Sequence, residues 1–430
     1  METIVYLATP PGNSGVAIVR ISGENSKEIL QKLTRAQVDF EPRKMYLKTV
    51  YANNLMDRCL VVFFANPFSF TGEDVVEIHS HGGYYLAQQI IKQCIDFGAR
   101  LAEAGEFSKR AFINGKMSID QAEGIMDLIN AESEMQAKAG SSLMMGKLKE
   151  KITNCQNSLT DILAEIEAKL DYPEYEYTDS ETTIIKDRIT SLTNELSSMI
   201  NDSVSGLKIK NGVRVAIAGA PNVGKSSILN SLTKSNKAIV TNIAGTTRDV
   251  VEAEYEFNGI IFRLFDTAGI HDSDDIVEKI GIDKAIQTLE EADIVLKVSA
   301  PHDVCNIETN KPFINVFNKS DLVKIKDKNY FYVSAEAGEN IDLLKQEIFN
   351  KTMVGGINPN KLFLTNTRHV EAVKNAREAL VRVLDLFEFS TMDIISSEIK
   401  EAWNCLGEVS GTNSDEVIID KIFSKFCLGK

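Results

Sequence analysis

A β-like run from Val213 to Ala218 leads straight into GAPNVGKS, where Gly219, Gly224, Lys225 and Ser226 stand at the spacing G-x-x-x-x-G-K-[ST], and a helical run follows from Ser227 to Leu232. This order of strand, glycine-rich loop and helix is what a loop that wraps phosphates requires. Glycines let backbone N–H groups turn inward, a lysine brings a cation to the β- and γ-oxygens, and a serine hydroxyl ligates Mg²⁺. The surrounding grammar alternates strand and helix, with further candidate strands at Ile261 to Phe265, Ile294 to Val298, Phe313 to Phe317 and Tyr330 to Val333. Such alternation predicts a mostly parallel, doubly wound α/β sheet that binds ligands at the carboxyl ends of its strands.

Further motifs fall at those strand ends. Asp266, Thr267, Ala268 and Gly269 spell DTAG, where a carboxylate can hold Mg²⁺ through water and Gly269 can offer its N–H to a γ-phosphate. Asn318, Lys319, Ser320 and Asp321 spell NKSD, whose final carboxylate can accept from the guanine N1–H and amino group, a donor pair that adenine lacks. Ser334, Ala335 and Glu336 form SAE after the next strand and are placed to brace a base. Either DTAG or NKSD alone fits an ordinary surface loop; their shared order, spacing and strand-end position point to GTP. Asn222, Val223 and Ser227 complete the phosphate-loop set, and Thr247 in the intervening IAGTTRD is the natural second Mg²⁺ ligand. Ile270 follows DTAG, so the water-orienting glutamine of Ras-like enzymes is absent and another residue must position the water.

With 430 residues the chain exceeds one core and predicts about two to four domains. Residues 1–117 mix short β-like runs (Val16 to Ile21, Leu60 to Phe64, Val75 to Ile78) with a helical stretch from Tyr85 to Phe97, an α+β pattern. A stripe at steps of three and four follows through Leu148, Ile152, Cys155, Leu159, Ile162, Ile166 and Leu170. After an acidic connector, Pro173 to Ser180, a second stripe runs through Ile185, Ile189, Leu192, Leu196 and Met199, which predicts an antiparallel helix pair. Helical periodicity resumes from Val370 to Phe387 and again from Ile394. We therefore read a helical bundle, residues 118–210 and 353–430, interrupted by an inserted domain over 211–352.

The net charge of −14 excludes a surface that is broadly attractive to polyanions, so any nucleic-acid contact is local or lent by a partner. Six scattered cysteines without a CxxC pair, a start that lacks a signal-like basic region, and no apolar run of membrane-spanning length argue against export and membrane insertion and leave the cytoplasm or an organelle matrix, of which we expect the cytoplasm. His79 and His81 alternate as strand residues do, with no second ligand pair for zinc.

Four segments carry a resemblance: TIVYLATPPG with VAIVRISG near the start, FTGEDVVEIHSHGG at Phe70 to Gly83, the IAGTTRD loop, and the terminal FCLGK. Together they resemble the MnmE (TrmE) family of tRNA-modification GTPases nearly end to end. The resemblance implies an N-terminal folate-binding and dimerisation domain, and a helical domain carrying an inserted GTPase domain. It implies a homodimer that works with an MnmG-like flavoprotein carrying FAD, on carbon 5 of the tRNA wobble uridine, with a tetrahydrofolate derivative as one-carbon donor. It places K⁺ beside the phosphates at Asn222, Thr241, Ile243 and Thr246, and extends the GTP contacts to Asn242, Ala244 and Gly245. Glu278, in Val277-Glu278-Lys279-Ile280-Gly281, matches the family's catalytic glutamate. Folate contacts carry over to Arg20, Glu77 and Lys116, with Lys430 at the terminus, and Cys427 matches the family's C-terminal cysteine. His271 stands where many relatives have arginine, and Ser299 to Lys311 is short. The rival reading is a ribosome-assembly or RNA-associated switch GTPase whose flanking domains only bind.

Overall fold

In a computed structural model the described residues are 1–37, 39–171, 178–234, 253–267, 286–323, 327–353, 361–411, 416–426 and 429, with 416–418 described by backbone alone. Contacts divide the chain into two compact units: Met1–Met126, Leu143–Tyr172 and Ile399–Lys430 form one, and Asp127–Ser142 with Pro173–Glu398 form the other.

The first unit is built on a six-stranded sheet, with β1 at Ile4–Leu7, β2 at Val16–Ser22, β3 at Met45–Ala52, β4 at Leu55–Phe64, β5 at Val75–His81 and β6 at Arg100–Leu101, in the order β3-β4-β5-β2-β1-β6. Alternation decides its two faces. Val19, Ile21, Val61, Phe63, Val76 and Ile78 point to a core covered by α1 (Ser26–Thr34) and α2 (Tyr84–Asp96). The register pairs Arg20 with Glu77 on the opposite face, where Val16, Met45, Leu47 and Leu60 are exposed. The sequence reading found β2, β5, part of β4 and α2; it missed β1, β3 and the two-residue β6, whose pairing comes from distant partners.

A buried ion network fixes α3 (Glu106–Ile113) to this sheet. Arg110, 3% exposed, donates to Glu73 at 2.9 Å and to Glu106 at 2.8 Å. Burial alone would raise the Glu106 carboxyl, but hydrogen bonds from Arg100, the Glu103 backbone and Arg110 outweigh it and hold the pKa at about 2. Along the chain follow α4 (Ile119–Ile129), α5 (Glu134–Met144), which belongs up to Ser142 to the second unit, and α6 (Lys147–Leu170). Along α6 the predicted stripe is buried from Leu148 to Ile166, each such side chain contributing about 1.5–3 kcal/mol, whereas Leu170 at the helix end is exposed. Phe423 and Phe426 pack with Ala122, and a Cβ on Gly429 would stand 2.2 Å from the Leu7 carbonyl oxygen, so Gly429 lies against β1.

In the second unit α7 runs from Asp179 to Asn211. It begins inside the stretch read as a connector, because Thr178 and Glu181 form a reciprocal capping box that satisfies the first free N–H groups. The doubly wound sheet comprises β7 (Val213–Ala218), β8 (Ala253–Phe257), β9 (Ile260–Asp266), β10 (Ile294–Ser299), β11 (Phe313–Phe317) and β12 (Phe331–Tyr332), with α8 at Lys225–Thr233 and α9 at Ile341–Thr352. The order is β12-β11-β10-β7-β9-β8, parallel except for the edge strand β8. That edge strand was not predicted. Its run AEYEF alternates but carries two glutamates, so its partner β9 rather than its own composition makes it a strand. Helix α10 (Thr367–Leu386) packs along α7 and buries Val373, Leu380 and Val383.

Candidate functional site

Parallel pairing aligns the carboxyl ends of β7, β9 and β11. Ile217 pairs with Asp266, and Asn318, just past the end of β11, donates its N–H to Ser299 O, the last residue of β10, at 2.8 Å. The phosphate loop, the Asp266–Thr267 start of DTAG, NKSD and SAE therefore emerge along one edge of the sheet, at the ends of β7, β9, β11 and β12.

The loop from Gly219 to Gly224 is shaped by crowding. A Cβ on Gly219 would lie 2.4 Å from Val298 O, and one on Gly224, whose φ is +94°, would lie 2.2 Å from Asn318 Nδ2. Only glycine meets both conditions. Asn222, at φ +63°, is one of the few other residues in the left-handed region. Lys225 Nζ donates to Gly219 O at 3.0 Å and Ala220 O at 3.2 Å, so its ammonium lies over the loop. Ser226 and Ser227 open α8 and are exposed.

Across the edge, Asn318 Nδ2 donates to Val223 O at 3.0 Å and its Oδ1 accepts from Ala335 N at 3.1 Å. Lys319 Nζ donates to Asn222 O at 3.0 Å. Ser231 donates to Ala335 O at 2.6 Å, which ties α8 to the SAE segment. NKSD, SAE and the phosphate loop are thus one hydrogen-bonded assembly, with the Asp321 and Glu336 side chains exposed at its rim and Ser334 buried beneath them. Thr267 closes the β9 end by donating from Oγ1 to Ile217 O at 3.0 Å.

Asp266 carries an oxygen that no group among the described residues satisfies. Its Oδ1 is buried and has no hydrogen-bond partner, and burial raises its pKa while Lys225 acts to lower it. A buried, under-satisfied carboxylate oxygen within the field of the Lys225 ammonium fits a site for hydrated Mg²⁺, whose positive charge would favour the ionised form. Thr241, Asn242, Ile243, Ala244, Gly245, Thr246, Thr247, Ala268, Gly269, His271 and Glu278 lie outside the described residues.

On the open face of the N-terminal sheet, Arg20 donates from Nε and Nη2 to Glu77 Oε1 at 3.0 and 2.8 Å. His79 Nε2 lies 3.3 Å from the other oxygen of Glu77. The Arg20 guanidinium stands 5.5 Å from the Phe70 ring and 5.8 Å from the Phe107 ring, within cation–π range. Lys116 Nζ donates to Pro67 O at 2.9 Å, on the loop that carries Phe70. Arg20 and Glu77 are therefore brought together, with Lys116 on the neighbouring loop. Sequence reasoning missed Phe70 and Phe107, since nothing in a lone aromatic's surroundings along the chain announces a guanidinium above it. His81 turns instead to Asp57, at 2.6 Å. Cys427 and Lys430 lie outside the described residues.

Two family models match the chain: the GTP-binding protein TrmE N-terminus over residues 3–116 and the MnmE helical domain over 119–427. The tRNA modification GTPase MnmE of Francisella tularensis subsp. holarctica is 38% identical over 450 residues, covering 100% of this chain and 99% of the relative. That of subsp. novicida is 37% identical with the same coverage. Among solved structures, the FeoB G-domain from Methanococcus jannaschii is 26% identical over 33% of this chain and 98% of that one, at a TM-score of 0.26, and the assignment does not rest on it. With the helical-domain match spanning most of its length and that identity along all of it, the chain belongs to the MnmE (TrmE) family.

Proposed function

We propose that this protein hydrolyses GTP to drive modification of carbon 5 of the wobble uridine in tRNA. The observation that carries the reading is the hydrogen-bonded assembly of phosphate loop, NKSD and SAE at one sheet edge, in a chain whose full-length relatives are named as tRNA modification GTPases.

In this reading Gly219 to Ser227 wraps the phosphates and Lys225 leaves its loop carbonyls for the β- and γ-oxygens. Ser226, Thr247 and Asp266 would hold Mg²⁺, which would supply charge neutralisation at the phosphates. Asp321 accepts from guanine N1–H and the amino group, with Asn318, Lys319 and the SAE segment fixing that loop. Asn222, Thr241, Ile243 and Thr246 would hold K⁺, which would supply the charge that an arginine finger otherwise brings. Glu278 orients the attacking water.

The flanking parts supply the modification. Residues 1–117 bind a tetrahydrofolate derivative, with Arg20 and Lys116 meeting its carboxylates and Glu77 its pterin donors; Lys430 is a further folate contact and Cys427 has a role in the modification. The exposed Val16, Met45, Leu47 and Leu60 on the open sheet face support homodimer formation through that domain. Residues 118–210 and 353–430 form the helical domain and 211–352 the GTPase domain. An MnmG-like flavoprotein brings FAD and most of the tRNA contact, consistent with a net charge of −14. Among the described residues no helix is long and apolar enough to cross a membrane, and we place the protein in the cytoplasm.

The test is GTP turnover by the full chain at equal ionic strength in K⁺ and in Na⁺, with Lys225→Ala as control. Turnover should be much faster in K⁺ and lost in the variant. Equal rates in both salts would remove the K⁺ assignment, and turnover that survives Lys225→Ala would remove the site.

A further inference from the structure

Helix α5 and the turn before it hold the hairpin β8–β9 at several points. Met135 N–H donates to Gly259 O at 3.1 Å, at the hairpin turn. The Met135 side chain is buried in the core of the doubly wound sheet, in the cluster that includes Tyr255 of β8 and Phe262 of β9, which stack at 5.0 Å. Gly259 has φ +78°, and a Cβ there would stand 2.9 Å from Met135 Cγ. One turn earlier, Glu132 accepts from Arg263 Nη2 at 2.8 Å, while Arg263 Nε lies 3.1 Å from Glu254, so a single guanidinium joins both strands to the helical segment. The same segment is anchored to the end of α7: Gln136 Nε2 donates to Lys210 O at 2.9 Å, and Lys210 pairs with Asp127 at 2.8 Å. A cavity of about 220 Å³ between these groups is lined by Lys210 and Arg263, both already paired with carboxylates, so its charges balance without a ligand.

The braced hairpin is the element that ends at Asp266. Arg263 lies three residues before it on the same strand, a separation of about 10 Å along a backbone held in register by β7. A strand so paired transmits displacement along its length rather than absorbing it, because packed interiors resist continuous deformation. We propose that Glu132, Met135 and Gly259 are positioning residues, through which nucleotide bound beside Asp266 and the helical segment 132–140 bias one another. Two attachments act together: the ion pair fixes the strands laterally, and the Met135 contact fixes the turn. Whatever moves the Asp266 end on binding or hydrolysis changes the stability of these contacts, and by linkage the contacts change the affinity for nucleotide by the same factor. This rests on the nucleotide reading given above.

Amide hydrogen exchange of the full chain separates the two. Peptides covering 219–232 and 133–141 are followed without nucleotide, with GDP, and with guanosine 5′-(β,γ-imido)triphosphate. Protection of 219–232 tests nucleotide binding itself; without it the nucleotide reading fails and the coupling with it. With that protection present, the exchange rate of 133–141 should differ between GDP and the triphosphate analogue by about fivefold or more. Glu132→Lys, which sets like charges beside Arg263 at an exposed position, should shrink that difference to about twofold or less while leaving 219–232 protected, and Glu132→Asp should restore it. Identical exchange of 133–141 in all three states, or a difference untouched by Glu132→Lys, would overturn the proposal.

Discussion

Asn318 ties the NKSD segment to the phosphate loop through the carbonyl of Val223, 3.0 Å from its Nδ2, and both residues are buried. Asn318→Ala would leave that carbonyl and the Ala335 N–H without partners, at about 1–3 kcal/mol for each buried group. We expect a lowered Tm and weaker guanine-nucleotide binding together, measured by thermal scans with and without GDP. A variant with unchanged Tm would show that the tie contributes nothing.

Asp321 stands exposed at the rim of the same assembly. Asp321→Asn replaces one acceptor with a donor facing the guanine donors, which should cost several kcal/mol in GTP affinity, roughly the value of two charge-assisted hydrogen bonds, and favour xanthosine triphosphate. Competition binding with the two nucleotides reads this directly, and unchanged preference for GTP would remove Asp321 from the site.

Burial raises the Asp266 pKa, against the pull of Lys225. A carboxyl that holds its proton more tightly when folded costs stability as pH rises: the cost is absent below the unfolded pKa and is complete once pH passes the folded value. In the nucleotide-free protein without Mg²⁺, Asp266→Asn should therefore raise Tm or leave it unchanged at pH 7, with the difference fading toward pH 4. The same variant should lose Mg²⁺-dependent turnover. A lower Tm at pH 7 would show that the carboxylate is satisfied within the protein.

Glu278→Ala should separate binding from chemistry. If this residue orients water only in the transition state, GTP affinity stays nearly intact while turnover falls by roughly two or more orders of magnitude. Normal turnover would remove Glu278 from the chemistry and send the search for the water-orienting group to other residues.

What the sequence made legible follows from how local each signal is. The phosphate loop, DTAG, NKSD and SAE each sit at the end of a strand whose apolar run is visible in a short window, and those strands are β7, β9, β11 and β12. The α6 stripe was equally readable, since six buried positions recur at helical spacing over Leu148 to Ile166. Edge strand β8 was not readable, because a partly charged run becomes a strand only by pairing with β9. Nor was the Asn318–Val223 bond, which spans 95 residues, or the Met135 contact with Gly259, where a helix outside the motif-bearing region enters the core of the sheet. The Arg20–Glu77 pair lay between. Its members were named from family resemblance, while the adjacency of Phe70 and Phe107 emerges only in three dimensions.

The central claim is that GTP hydrolysis by this chain serves modification of the tRNA wobble uridine. The most direct measurement is mass spectrometry of nucleosides from tRNA of cells lacking the chain, complemented with the wild-type protein or with Lys225→Ala. The account predicts unmodified wobble uridine in the deletion, restoration of the carbon-5 substituent by the wild type, and no restoration by Lys225→Ala. A full complement of modified wobble uridine in cells without the chain would contradict it.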